Sequence, residues 1–243
     1  MRELGNSDVP LKLVEENLDV PDDAYIELYR RFGILQTPWP WLTPFDKVSD
    51  LSRSHVLDLG CGMGRIAVSL LNAGCAVTGV DANPKMLEDA KRLAPNFVAI
   101  HSRIEAIALK KRFELILLAS LLLCNAPKER RDTILAKAVE HLSPKGVIAF
   151  QLYCPNWLCK AEDILFPTQK LVCEHFDHRT QIWRGHIDYF FEDVHFRQRV
   201  VTEALMETDI IGFLRPYGLE VLDVVKDSPI SFVHFARRQC RRH

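Results

Sequence analysis

Three glycines in the stretch VLDLGCGMGR, at Gly60, Gly62 and Gly64, stand where a predicted strand meets a predicted helix. A glycine bend at such a junction lets the backbone approach a ligand closely, because no Cβ atom intervenes. The free N–H groups and the positive dipole end of the following helix point at the same place. This geometry suits the anionic carboxylate end of a ligand that carries an amino acid.

A carboxylate, Asp81 in GVDANPKML, ends the next predicted strand. It can accept hydrogen bonds from both hydroxyls of a ribose, which adenosyl ligands and NAD share, so Asp81 alone does not distinguish them. The glycine spacing favours the adenosyl sulfonium. The third glycine comes one place earlier than in the G-x-G-x-x-G pattern of NAD sites, and Arg65 stands where that pattern has glycine or alanine. Asp58, two residues before the bend, is also unusual for a NAD site.

From residue 55 onward, apolar segments of strand length alternate with helical segments. Strands that are apolar on both faces and separated by helices belong to a parallel sheet covered on both sides. We therefore predict an α/β fold: a Rossmann-like, seven-stranded, mostly parallel sheet with helices on both faces, plus an antiparallel β flap inserted after the fifth strand. The predicted strands are 55–60, 76–81, 97–102, 113–120, 146–153, 219–225 and 231–238, and the predicted helices are 64–73, 84–94, 128–142 and 202–217.

The flap is predicted because residues 155–202 interrupt the alternation. Three segments within it have the pattern of antiparallel strands, with turns near His178 and Glu192. These segments are 173–177, 181–191 and 194–201. Before the core we predict a loose acidic arm and a short helix at 24–32 that ends at Gly33.

Four segments follow from these predictions. Residues 1–54 form an arm, a helix and a proline-rich aromatic segment that covers cofactor or substrate, and 55–154 form the cofactor-binding core. Residues 155–202 form the substrate flap, and 203–243 add the last helix and two strands to the core. The prolines of TPWPWLTPF exclude a regular helix there, and we interpret Trp39 and Trp41 as packing residues.

The segment from Val56 to Leu152 resembles the class I S-adenosylmethionine-dependent methyltransferases, and residues 203–238 resemble them more weakly. The glycine bend, Asp81 and the turn LSPKGVIAF carry the resemblance. It implies S-adenosyl-L-methionine as the cofactor. Two positions depart from the family pattern. Ser102 stands where an acidic residue usually bonds the adenine amino group, and serine accepts that bond less strongly than a carboxylate. Glu114 replaces a commoner aspartate.

The same resemblance implies a role for each residue of the cofactor site. The bend lines the methionine and sulfonium region, and Asp81 holds the ribose. Ala82 and Met86 flank the adenine, and Leu121 follows the strand whose end faces the methyl group. The implied cofactor residues are Asp58, Gly60, Cys61, Gly62, Gly64, Asp81, Ala82, Met86, Ser102, Arg103, Ile104, Ala119 and Leu121.

The flap resembles those of small-molecule methyltransferases, including amino-sugar and glycine N-methyltransferase types. Such flaps cover the methyl end of the cofactor and exclude water, so we expect the acceptor beneath it. The candidate substrate residues are Tyr29, Tyr153, Trp183, Arg184 and Arg197. The candidate catalytic residues are His186, His195, Tyr25 and Asn125.

Two of these groups have a second interpretation. His186, Asp188, His195 and Arg197 form either a polar substrate wall that supplies a general base or a solvated sheet face, which the alternation of an antiparallel sheet predicts by default. Arg184 lies on the same face as His186 and Asp188. Tyr25 and Tyr29, one helical turn apart, form either a lid over the sulfonium, since aromatic faces favour a cation, or ordinary helix packing.

Composition excludes few classes of protein. Hydrophobic residues make up 48% and charged residues 26%, and the net charge of −1 gives no sign of a nucleic-acid or membrane partner. None of the seven cysteines forms a CxxC pair, so we expect free thiols and no metal site. The polar N-terminus has no signal-peptide pattern, and no apolar run reaches the length of a membrane span. We expect a cytoplasmic protein that is a monomer or a homodimer.

The sequence therefore predicts methyl transfer from S-adenosyl-L-methionine to an amine or oxygen of a small molecule, in secondary metabolism. One alternative is an RNA (tRNA) methyltransferase, since Lys128–Arg131 and the C-terminal RRQCRRH are basic. Another is a non-catalytic interaction domain, which Ser102 alone supports. A NAD(P)-dependent reductase is disfavoured by Arg65 and by the lack of a Tyr-x-x-x-Lys pair after the fourth strand.

Overall fold

The structure, a computed structural model, describes residues 9–14, 23–34, 51–160 and 162–239 of the chain. They belong to two compact units. The core unit comprises residues 36–154 and 205–243, and the insert unit comprises 1–35 and 155–204. The proline-rich aromatic segment, with Trp39 and Trp41, lies outside the described residues.

Seven strands form the sheet of the core unit. Numbered along the whole chain, they are β2 (His55–Leu59), β3 (Ala76–Asp81), β4 (Val98–His101), β5 (Phe113–Leu118), β6 (Leu142–Tyr153), β11 (Leu219–Ser228) and β12 (Ser231–Arg238). Their order across the sheet is β11-β12-β6-β5-β2-β3-β4. Strands β2 to β6 pair in parallel, whereas β12 is antiparallel to both of its neighbours. The predicted seven-stranded, mostly parallel sheet is confirmed.

Helices cover this sheet because its strands are apolar on both faces. The core helices are α2 (Arg65–Asn72), α3 (Pro84–Leu93), α4 (Leu122–Asn125), α5 (Lys128–His141) and α7 (Glu207–Leu214). Helices α2 and α3 pack on the face that carries Leu115 and Leu117. The alternate positions Ile116 and Leu118 are equally buried, so the second face is also covered. Helix α3 begins where the Asn83 side chain accepts hydrogen bonds from two backbone N–H groups and Pro84 follows.

Two predicted boundaries in the core are wrong. The helix predicted at 202–217 begins only at Glu207, because residues 202 and 203 still belong to a strand of the insert unit. Its last three residues form a 3₁₀ turn. In LSPKGVIAF, the residues SPKG (143–146), predicted as a turn, are extended chain at the start of β6, where the pairing with β5 shifts register.

The insert unit contains a five-stranded sheet of order β1-β10-β9-β8-β7. The strands are β1 (Leu11–Val14), β7 (Ile164–Leu165), β8 (Gln169–Asp177), β9 (Ile182–Phe190) and β10 (His195–Glu203). Strands β7 to β10 pair antiparallel, as predicted for the three longer ones, and β1 runs parallel to β10. The unit also contains the helices α1 (Asp23–Ile34) and α6 (Pro155–Lys160).

The N-terminal segment differs from the prediction of a loose arm, because residues 11–14 form β1. Only Val14 of this strand is buried, so the sequence offers no alternation by which to find it. Helix α1 continues through Gly33 to Ile34 rather than ending at the glycine. Leu28 of α1 packs with Val14 and Phe196 in the apolar cluster of this unit. Among the described residues, no helix is long and apolar enough to cross a membrane.

Candidate functional site

The glycine bend of the core unit joins β2 to α2. Gly60, Gly62 and Gly64 all have positive φ angles, of 78°, 53° and 75°, which side chains disfavour. The bend is fixed to β3, because the N–H groups of Gly60 and Cys61 both donate to the carbonyl of Val80, at 2.8 and 3.1 Å. A Cβ atom added at Gly62 would meet no atom within 4 Å. The bend therefore presents bare backbone to open space.

Asp81, at the end of β3, ties the bend to the start of α3. One of its oxygens accepts from the N–H of Gly62 and the other from the N–H of Asn83, both at 2.8 Å. Burial raises the pKa of Asp81, while these backbone hydrogen bonds oppose the rise. Each carboxylate oxygen has a second lone pair, so the group can still accept hydrogen bonds from a pair of ribose hydroxyls.

Asp58, on β2, is the unusual group of the site. The residue is 1% exposed, and neither of its side-chain oxygens has a hydrogen-bond partner among the described residues. Burial, and then the nearby charge of Asp81, raise the pKa of Asp58 to about 7, against a smaller opposing effect of Arg65. A buried carboxylate without a donor is strongly unfavourable as an anion. This orphaned group beside bare backbone fits a ligand that brings its own cation.

The loop after β4 holds the implied adenine residues. The N–H of Ser102 donates to the carbonyl of Asp81, and the Nε2 of His101 lies 3.0 Å from the carbonyl of Ala82. The hydroxyl of Ser102 donates to the carbonyl of Arg103 at 2.9 Å, which leaves its oxygen lone pairs available to accept a bond. Serine is therefore able to take the place of the acidic residue usual in the family.

The segment after β5 has a strained backbone. Ser120 and Leu121 adopt left-handed conformations, with φ angles of 54° and 61°, although neither is glycine. Such strain is often stored at functional sites. The segment lies against the glycine bend, since a Cβ atom at Gly60 would be 3.6 Å from the Leu122 side chain. The Nη2 of Arg65 lies 3.5 Å from the Ser120 hydroxyl.

Arg131 fixes this segment from α5, a role the sequence analysis missed. Its guanidinium is buried and donates to the carbonyls of Leu123 and Ala126 at 2.8 and 3.3 Å. Because Arg131 lies in the basic run Lys128–Arg131, the sequence instead offered it as support for RNA binding. The candidate catalytic residue Asn125 lies in the same segment, and its buried Oδ1 has no hydrogen-bond partner among the described residues.

The remaining implied residues of the core are largely buried. Cys61 is 8% exposed, and burial, with Asp58 and Asp81 nearby, raises the pKa of its thiol. The structure therefore favours a neutral thiol at the bend. Met86, Ile104, Ala119 and Tyr153 are 3–6% exposed.

The insert unit contains a second group of predicted site residues, joined in a polar network. Asp188 accepts two hydrogen bonds from Arg197, at 2.7 and 3.0 Å. The two nitrogens of His186 lie 2.7 Å from Glu174 and 3.6 Å from Asp188, and His195 lies 3.3 Å from Asp188. Burial would raise the pKa of Asp188, but Arg197 and the two histidines hold it below its ordinary value.

The solvated face expected here is therefore wrong for two residues. The side chains of His186 and Asp188 are 11% and 7% exposed, since the network covers them. Arg184, on the same strand face, is exposed as expected, and it has no hydrogen bond or ion pair with any described residue. The network itself is of the kind that stabilises a sheet.

Three aromatic candidates of the insert unit lie in its apolar packing. The rings of Tyr25 and Tyr29 stack on each other at 4.3 Å and lie against the apolar cluster of α1. Trp183 is 2% exposed, with its ring 6.0 Å from that of Trp157, which makes it a core residue of the sheet. These contacts correspond to the packing interpretation, and a lid over the sulfonium stays a prediction.

Across residues 9–14, 23–34, 51–160 and 162–239, no three His, Cys, Asp or Glu side chains group closely enough to hold a metal ion. None of the described cysteines forms a disulfide bond.

The sequence of the core unit matches a known family. Residues 56–146 match the family described as "Methyltransferase domain". The ubiquinone biosynthesis O-methyltransferase of Rickettsia conorii is 31% identical over 113 residues, which cover 44% of this chain and 38% of that protein. The cypemycin N-terminal methyltransferase of a Streptomyces species is 27% identical over 131 residues, or 52% of this chain and 54% of that protein. The matches thus span about half or less of these relatives.

Solved structures extend the likeness to the whole fold. An S-adenosylmethionine-dependent methyltransferase from Clostridium acetobutylicum has a TM-score of 0.70 at 16% identity, over 88% of this chain and 97% of that one. An amino pentose methyltransferase of Micromonospora echinaspora, involved in calicheamicin biosynthesis, has a TM-score of 0.66 at 16% identity, over 90% and 98%. The fold and the bend together define a class I methyltransferase fold. Residues 56–146 match a methyltransferase domain, and the resemblance found in the sequence is confirmed at this level.

Proposed function

We propose that this protein transfers a methyl group from S-adenosyl-L-methionine to an amine or oxygen of a small molecule. The observation that carries the proposal is the bare glycine bend flanked by two carboxylates, Asp58 and Asp81. Asp58 is buried and has no hydrogen-bond partner within the part of the chain that the structure describes. When bound, S-adenosyl-L-methionine supplies an electrophilic methyl group on a sulfonium. The domain match at residues 56–146 supports this choice of cofactor.

The residues of the core would bind and orient that cofactor. The N–H groups at the start of α2 would hold its carboxylate, and Asp81 would accept the ribose hydroxyls. Ser102 would accept a hydrogen bond from the adenine. The fixed segment from Ser120 to Ala126, held by Arg131, would give the acceptor a rigid boundary, since alignment is the main demand of an in-line displacement.

The nature of the acceptor is the finer part of the proposal. Relatives named for O-methylation in ubiquinone biosynthesis and for methylation of an amino pentose support a small oxygen or nitrogen nucleophile. We propose that the insert unit contributes acceptor residues, with Arg184 and Tyr29 as candidates and His186 or His195 as a base where a hydroxyl must lose its proton. A cytoplasmic location, a role in secondary metabolism and a monomeric or homodimeric state stay predictions.

Isothermal titration with S-adenosylhomocysteine tests the cofactor part. We expect micromolar or tighter binding by the wild type and at least a hundredfold loss in Asp81→Ala, because two hydrogen bonds to a charged acceptor contribute about 3 kcal/mol. Asp223→Ala, which removes an exposed carboxylate of the core unit, should bind like the wild type. Unchanged affinity in Asp81→Ala would refute the site.

Transfer of labelled methyl groups tests the reaction. Wild-type protein with methyl-labelled S-adenosylmethionine should label members of a panel of amino sugars, phenols and amines, while Asp81→Ala should not. Tight binding of the cofactor with no transfer to any small molecule or to tRNA would instead favour a non-catalytic interaction domain.

A further inference from the structure

Asp58 is deeply buried, and its surroundings offer no hydrogen-bond donor within the described residues that would stabilise it as an anion. Its neighbour Asp81 is satisfied by two backbone N–H groups, whereas both oxygens of Asp58 lack any donor among the described residues. Of the two carboxylates that face the bend, Asp58 is therefore the one that the fold favours as a neutral acid.

The charged and titratable groups around Asp58 come from three elements. Asp81 on β3 disfavours its ionisation, Arg65 at the start of α2 favours it, and the Cys61 thiol of the bend lies close to both carboxylates. Burial has the largest effect, and the pKa of Asp58 is raised to about 7. The positive charge of Arg65 does not outweigh burial and the like charge of Asp81.

The α-ammonium group of the proposed cofactor would supply a positive charge to compensate Asp58. Its α-carboxylate and α-ammonium are attached to one carbon, so a carboxylate held at the start of α2 leaves the ammonium in the same bend. Asp58 lies on the strand that leads into this bend. A cation next to the carboxylate compensates the burial of the negative charge.

We propose that Asp58 is a carboxylic acid in the free protein and that cofactor binding releases its proton to solvent, leaving a carboxylate paired with the cofactor ammonium. The inference rests on the proposed cofactor. The O–H bond of Asp58 breaks, the proton passes to the buffer, and no covalent bond to the cofactor forms. Binding is therefore coupled to pH, weaker in acid and independent of pH once Asp58 is ionised.

Titration calorimetry with S-adenosylhomocysteine, which has the ammonium but cannot transfer a methyl group, measures this directly. The wild-type protein is titrated in phosphate, HEPES and Tris, and the slope of enthalpy against buffer ionisation enthalpy gives the number of protons released. We expect close to one proton at pH 6, about half at pH 7 and about a tenth at pH 8. The dissociation constant should rise about tenfold from pH 8 to pH 6.

Two variants identify the source of the proton. Asp58→Asn keeps the shape of the side chain but has no acidic proton, so its slope should be zero and its affinity should not change between pH 6 and pH 8. Asp223→Asn should behave like the wild type. Proton release that persists in Asp58→Asn would assign the proton to another group and overturn the proposal.

The two proposals fail in different ways. Binding of S-adenosylhomocysteine without any proton release at pH 6 and 7 would mean that Asp58 is already ionised, which overturns this inference but leaves the cofactor assignment intact. No binding at any pH would overturn the proposed function itself.

Discussion

Two buried aspartates, one in each unit, lie in opposite environments. Asp58 in the core has no donor among the described residues and a raised pKa, whereas Asp188 in the inserted sheet receives two hydrogen bonds from Arg197 and has a lowered pKa. A buried carboxylate that has a hydrogen-bond partner is part of the internal hydrogen bonding of the fold. One without a partner is open to a ligand. Burial alone therefore does not mark a binding site, but burial without a partner does.

Neutralising Asp58 should produce the largest effect. Because the pKa of Asp58 is raised in the folded state, its carboxyl group loses its proton at lower pH in the unfolded state than in the folded state. The free energy of unfolding of the wild type therefore falls as pH rises from about 3.8 to about 7. The amide that replaces the carboxyl group in Asp58→Asn does not titrate. We expect this variant to raise the free energy of unfolding at pH 8 by on the order of 3 kcal/mol, measured by urea unfolding without ligand. The gain should vanish near pH 4. A loss of stability at pH 8 would show that Asp58 is paired after all.

Removing the partner of Asp188 should have the opposite sign. Arg197→Met leaves the buried carboxylate unpaired, and we expect the free energy of unfolding at pH 7 to fall by about 2 kcal/mol, less than for a fully buried pair because Arg197 is 39% exposed. Arg184→Met, on the same strand face but without an ion pair, is the matched control and should change stability by less than about 0.5 kcal/mol. Equal effects of the two substitutions would remove the contrast between the aspartates.

The smallest expected effect comes from backbone strain, which can be compared between the segment after β5 in the core and a turn of the inserted sheet. Ser120→Gly relieves a left-handed conformation in the segment after β5, which lies against the glycine bend. We expect a gain of about 0.5–1 kcal/mol in the free energy of unfolding, measured by thermal or urea unfolding, since the strain removed exceeds the added entropy of the unfolded chain. Gln181, with a φ of 58° in the turn before β9, is the comparable position of the inserted sheet. If Gln181→Gly raised the free energy of unfolding and Ser120→Gly did not, the backbone strain would lie in the inserted sheet and not in the segment after β5.

The core could be predicted from the sequence because each pattern that defines it lies within a short contiguous segment. The apolar runs of β2 to β6 are buried on both faces, and the glycine bend with Asp81 is contiguous in sequence. The orphaned state of Asp58, the role of Arg131 and the burial of Asp188 depend on which groups the fold brings together over long separations. A strand as short as β1 has no periodicity to detect, since its pairing with β10 alone defines it.

The pairing of Leu11 with His195 also has a consequence for synthesis of the protein. The inserted sheet cannot gain β1 until β10 has left the ribosome, and β6 cannot gain its neighbour β12 until residues 231–238 have been made. The inserted sheet therefore stays incomplete until residue 203 has been synthesised, and the core sheet until residue 238. Contacts so distant in sequence slow folding and leave strand edges exposed meanwhile. Shortening the chain at either end should leave one sheet with an open edge rather than yield a smaller intact protein.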